Sequence, residues 1–130
     1  MIPAWIGVDL DGTLAHYDVW RGNEHIGEPI EEMVGKVKKL LDVGVKVKIF
    51  TARAQDPEAI PYIEKYLEKI GLPQLEITNV KDYGCHEIWD DRAKQVVPNT
   101  GVFIEDLIFK EDASCGCERS GDCLCEKEND

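Results

Sequence analysis

"WIGVDLDGTLAHYD", residues 5–18, sets an apolar run directly against two carboxylates spaced two positions apart. The nearly continuous apolar segment 4–9, "AWIGVD", reads as a short buried strand that ends at a turn signal. Side chains on an extended chain alternate, so Asp9 and Asp11 leave it on the same side. Gly12 then permits a sharp turn. Two acids at the end of a buried strand are either ordinary turn residues, which Asp favours, or the start of a site. The ends of the later strands decide between these.

Residues 12–29 are polar and glycine-punctuated, with scattered aromatics, and read as a loop or small hairpin. In residues 30–42, "IEEMVGKVKKLLD", apolar side chains recur at three- and four-residue spacing, with acids early and lysines late. That predicts an amphipathic helix whose charges suit its dipole, stopped near Gly44. Residues 45–52, "VKVKIFTA", fit a second strand. A second helix is expected over 57–70, with Asp56 as N-cap, Pro57 in the first turn and Gly71 closing it. Residues 75–80, 86–91 and 101–106 are the third, fourth and fifth strand candidates.

Strands alternating with helices predict an α/β fold, a parallel sheet with helices on both faces. Ligands bind such sheets at the carboxyl ends of the strands. Asp9, Thr51, Lys81 and Asp90 each fall at or just past a predicted strand end, so four reactive side chains converge on one edge. Clustered Asp9, Asp11, Asp90 and Asp91 would repel one another and lose hydration, and therefore need a cation. Hard oxygen ligands suit magnesium, which keeps waters and bridges to phosphate.

"DLDGT" after the first strand, "IFTAR" ending the second, "TNVKD" after the third and "IWDDRA" after the fourth resemble the four motifs of the haloacid dehalogenase superfamily. The likeness spans residues 5–106. It implies a three-layer Rossmann-like sandwich with strand order 5-4-1-2-3 and a magnesium-dependent phosphomonoester hydrolase acting through an aspartyl-phosphate. By this resemblance Asp9 is the nucleophile and Asp11 the general acid and base, an acid there being what separates the family's phosphatases from its dehalogenases. Magnesium would be held by the Asp9 carboxylate, the Asp11 carbonyl and Asp90, with Asp91 beside it directly or through water. Thr51 would hydrogen-bond a phosphoryl oxygen and Lys81 neutralise its charge. Only eight residues separate Lys81 from Asp90, too few for the helix many relatives have there, so Lys94 is a rival for the lysine.

The 39 residues between Asp11 and Thr51 already hold a loop, a helix and a strand, and the interval from Thr51 to Lys81 is likewise filled. No room remains for a cap domain, so the resemblance implies an open site, closed by a flap or by a neighbouring copy in a homo-oligomer. Gly12, His16, Tyr17, Trp20, Arg21 and His25 are then the candidate substrate contacts. Arg53 and Arg92 either bind a second phosphate or pair with the acidic surface. The substrate expected is a phosphorylated small molecule or nucleotide, and aromatic stacking with arginine would suit a nucleotide or a polynucleotide end. The alternative is a non-catalytic interaction protein of the same fold.

The composition fits one compact core domain, 1–110, with 43% hydrophobic residues, and an acidic tail, 111–130. A net charge of -11 argues against long nucleic acid as a partner. No apolar run approaches the roughly 20 residues of a membrane helix, and no signal-peptide pattern opens the chain, so a cytoplasmic location is expected. Four of five cysteines, Cys115, Cys117, Cys123 and Cys125, fall in the tail as two C-x-C pairs. They either hold one tetrahedral zinc or form disulfides or free thiols in a solvated tail with seven acids and two bases. Cys85 reads as a small core residue.

Overall fold

The computed structural model describes residues 3–107. It divides into two units, the first ending at Asp91 and the second beginning at Arg92. The expected zinc or disulfide chemistry of the tail lies outside the described residues.

The first unit is an α/β arrangement around a parallel four-stranded sheet in the order β3-β2-β1-β4. The strands are β1 (Trp5–Val8), β2 (Val47–Phe50), β3 (Glu76–Thr78) and β4 (Cys85–Trp89). Helix α1 (Glu31–Asp42) joins β1 to β2, and α2 (Ile60–Lys69) joins β2 to β3. Glu31 and Glu32 in the first turn of α1 and Lys39 in its last match the helix dipole. Its chain leaves through Gly44 at φ +87°, a conformation costly for any residue with a Cβ.

Alternation along the strands divides the sheet cleanly. One face carries Val8, Val47 and Ile49, with Ile6, Ile77 and Trp89 at its margins; these pack against Val34 and Val37 of α1 and Ile63, Tyr66 and Leu67 of α2. Fully burying each such aliphatic side chain is worth about 1.5–3 kcal/mol, so this face holds most of the stabilisation. Both described helices lie on it. A second helical layer is not seen among the described residues of this unit.

The other face carries Trp5, Gly7, Lys48 and Phe50. A Cβ on Gly7 would come within 2.9 Å of the Trp5 ring and 3.0 Å of Phe50, so glycine here is what lets the buried indole lie over β1. Because β3 and β4 occupy opposite edges, the short 79–84 connection must cross the sheet, and Asp82 fixes it to this face. Asp82 accepts from the Trp5 indole N–H at 2.8 Å and pairs with Lys48 at 3.6 Å. Lys48 also reaches Glu76 at 3.4 Å and stands 4.4 Å over the Trp5 ring. A loop, a hydrogen-bonded tryptophan and an ion-paired lysine thus cover what a helix would otherwise cover, and the Asp82 carboxyl is held below its usual range chiefly by the Trp5 hydrogen bond.

Two expectations are corrected. The helix expected over 57–70 opens as a 3-10 turn, Pro57–Ala59, and becomes α-helical only from Ile60. Pro61 has no N–H to donate and belongs in a first turn, so the α-helix starts beside it. The fifth strand expected over 101–106 is absent among the described residues. There the second unit makes a tight hairpin, with Val97 N donating to Val102 O at 2.8 Å, Ile104 N to Gln95 O at 2.9 Å, and residues 104–107 helical. Asn99 and Gly101, both at positive φ, turn the chain back on itself before it can extend. No helix among the described residues is long and apolar enough to cross a membrane.

Candidate functional site

Asp9 occupies the last rung of the sheet: its N–H donates to Trp89 O at 2.9 Å, which aligns the ends of β1 and β4. Asp90 and Asp91 come directly after Trp89, so sheet pairing alone brings three carboxylates together. One oxygen from each of Asp9, Asp90 and Asp91 lies within 4.8 Å of the others. Burial, then the Asp90 charge, pushes the Asp9 carboxyl up to about 7, with Asp91 adding to the rise. Such crowding of hard oxygen donors fits a divalent cation, which would offset the repulsion.

Local structure keeps this cluster tight. Leu10 and Leu14 are fully buried, and Leu10 O accepts from the N–H groups of Thr13, Leu14 and Ala15, winding the chain into one closed turn. Gly12 sits in that turn at φ +89°, and a Cβ there would run into the Asp91 carboxylate. Its role is therefore to make room for Asp91. Thr13 Oγ1 donates to Asp91 at 3.4 Å.

The Asp11 side chain is not part of the cluster. It turns to Arg53, which grips it with two parallel hydrogen bonds, Nε to Oδ2 at 2.7 Å and Nη2 to Oδ1 at 2.8 Å. Its main-chain carbonyl is left as the group with which it can serve a metal. Thr51, at the end of β2, is buried and caps the 3-10 turn Ala52–Gln55 by accepting from Arg53 N at 3.2 Å. Acceptance through oxygen leaves the hydroxyl proton to be donated.

Arg53, expected at substrate phosphate or at the acidic surface, is buried, with its side chain only 5% exposed. Besides Asp11 it donates to the main-chain carbonyls of Asn23 at 3.3 Å and His25 at 3.0 Å, and its guanidinium lies 4.8 Å from the Trp20 ring centre. Residues 16–28 form a flap fastened at its base by His16 N to Glu28 O at 2.8 Å and Ile30 N to Leu14 O at 2.8 Å. Asn23 donates to Asp56 at 2.9 Å, holding that carboxyl below its usual range, and the Tyr66 hydroxyl donates to Gly27 O at 2.9 Å. Burial pushes the Tyr66 phenol up to about 12, so it stays a donor to that carbonyl through the physiological range.

Of the flap side chains, His16, Tyr17 and Trp20 are exposed, Trp20 by 53% despite its contact with Arg53. Arg21 pairs with Asp18 at 2.7 Å. Lys81 is exposed on the crossing loop, where its charge lowers the Cys85 thiol against a larger rise from burial; it is not among the groups that shift Asp9. Cys85 is only partly buried, at the start of β4. In the second unit, Arg92 is exposed and Lys94 pairs with Glu105 at 3.3 Å and lies 4.4 Å over Phe103. Sequence reasoning missed Asn23 and Asp56 as flap anchors. The Asp56 N-cap signal alone pointed to one of them.

Set against family models, curated proteins and solved structures, the chain matches none.

Proposed function

We propose that the protein is a magnesium-dependent phosphomonoester hydrolase of the haloacid dehalogenase type, with a Rossmann-like core and no cap domain. The observation that carries this reading is the gathering of Asp9, Asp90 and Asp91 at the carboxyl ends of neighbouring parallel strands. The strand order, the buried Thr51 at the next strand end and Asp11 two residues beyond Asp9 support it.

An Asp9 carboxylate oxygen attacks phosphorus, and the ester P–O bond breaks with its electron pair going to the leaving oxygen. The acid form of Asp11, its plane held by Arg53, gives that oxygen its proton. In the second half, water attacks the phosphorus of the aspartyl-phosphate and yields a proton to Asp11, while the P–O bond to Asp9 breaks and restores the carboxylate. Thr51 donates to a phosphoryl oxygen, and Lys81 supplies positive charge from the β3 side. Asp9, Asp90, Asp91 and the Asp11 carbonyl would hold magnesium, which when bound would supply the positive charge that lets two anions approach.

The test is phosphate release from p-nitrophenyl phosphate with and without magnesium, in the wild type and in Asp9→Asn. Magnesium-dependent release that Asp9→Asn abolishes is expected; undiminished release by the variant overturns the mechanism. Inactivity of the wild type on every ester tried favours an interaction protein instead. Within the phosphatase reading a nucleotide is the favoured substrate, because Trp20 rests on the Arg53 guanidinium and remains half exposed for stacking. A panel of nucleotides, 3'-phosphorylated oligonucleotides and sugar phosphates separates these classes.

A further inference from the structure

The side chain two residues beyond the nucleophile and the flap meet at one buried guanidinium. Both oxygens of Asp11 are held by Arg53, and the same group holds the carbonyls of Asn23 and His25. The Trp20 ring lies against it too. A carboxylate held by one hydrogen bond can rotate; one held by two parallel bonds has its plane fixed. We propose that Arg53 is the positioning residue of Asp11, tying the acid/base carboxyl and the flap into one mechanical unit; this rests on the phosphatase reading above.

Three features carry the assignment. Nε, Nη1 and Nη2 all donate within the protein and the side chain is 5% exposed, so the fork is not presented outward to a substrate anion. A buried guanidinium needs a negative partner, and Asp11 is the carboxylate that it contacts, so each holds the other in place. The flap is gripped by main-chain oxygens, so a displacement of residues 23–25 is passed to the guanidinium and from it to Asp11. Lysine, with a point charge on a flexible stem, cannot reproduce the two parallel bonds.

The experiment compares the wild type, Arg53→Lys, Arg53→Ala, Asp11→Asn and the double variant Arg53→Ala/Asp11→Asn on two esters of similar shape. Phenyl phosphate has a leaving group that needs protonation, and p-nitrophenyl phosphate has one that needs it far less. Removing a positioned proton donor loses on the order of 100-fold or more, so kcat of Arg53→Ala should fall about 100-fold on phenyl phosphate and about 10-fold or less on the nitrophenyl ester. KM is expected to change little on either ester, and Arg53→Lys to recover part of the loss. The double variant should be no slower than Asp11→Asn, because groups that act as a unit are not additive.

Trypsin reads the flap side directly: cleavage after Arg21 should be faster in folded Arg53→Ala than in the wild type. Equal loss on both esters, a double variant slower than Asp11→Asn by the full factor of the single change, or unaltered cleavage after Arg21 each overturns the proposal while leaving an active wild type as a phosphatase. A wild type that hydrolyses neither ester fails the phosphatase reading, and the proposal falls with it.

Discussion

Neutralising the candidate nucleophile should make the metal-free protein more stable. Asp9 is half-buried, hydrogen-bonded to Asp91 and faced by Asp90, which together raise its carboxyl from 3.8 to about 7. A group whose folded value is raised binds its proton more tightly when folded. The wild type is therefore relieved of this strain near pH 4 and carries it in full once pH has risen through 7. A rise of about three units corresponds to about 4 kcal/mol at 1.36 kcal/mol per unit. Solvent screening at a half-exposed carboxylate reduces this to about 2 kcal/mol.

Asp9→Asn keeps the shape and a hydrogen bond to Asp91 but removes the charge. At pH 8 in EDTA it should melt about 8–16 °C above the wild type, given roughly 4–8 °C per kcal/mol for a unit of this size. The gap should close as pH falls from 7 towards 4. Magnesium at a hundred times its dissociation constant should stabilise the wild type by about 2.7 kcal/mol and the variant far less. Thermal melts at pH 8 and pH 4.5, each with EDTA or magnesium chloride, measure all of this. A variant less stable than the wild type at pH 8 in EDTA, or one with an equal magnesium response, refutes the reasoning.

Gly12→Ala should lose about 1–3 kcal/mol from its positive φ, and more magnesium than wild type should then be needed for half-maximal activity because Asp91 is displaced. Melting and metal titration check this. Lys48→Met leaves Asp82 and Glu76 without their shared cation and should lower stability by about 1–2 kcal/mol, since both acids retain solvent. Its kcat should match the wild type, the pair lying on the sheet face away from the helices. Lys81→Ala should lower kcat by about 100-fold and Lys94→Ala by less than about 3-fold if charge from the β3 side neutralises the phosphoryl group; the reverse order would assign the lysine to the second unit.

The order of strands and helices in the first unit was legible because each apolar run is short and bounded. "AWIGVD" and "VKVKIF" end at turn or cap residues, and the α1 segment has an unbroken helical period. The carboxylate cluster was legible because strand ends fix positions along one edge of a parallel sheet. The Arg53 to Asp11 pair was not, since 42 positions separate the two and nothing local distinguishes a clasped arginine from a solvated one. Lys48 was hidden for a related reason: alternation assigns it a face, but only the crossing loop turns that face inward. "GVFIED" misled because its apolar content suited a strand while Asn99 just before it and Gly101 at its start turn the chain back.

The hydrogen bonds of Arg53 and Tyr66 to the flap go to the carbonyls of Asn23, His25 and Gly27 rather than to its side chains. A grip on the main chain is indifferent to which residues are carried there. Residues such as His16 and Tyr17 can then be exchanged by mutation without loosening the loop that presents them. The outer surface of the flap can be altered in single steps, each passing through a folded protein with the Arg53 to Asp11 pair still in place.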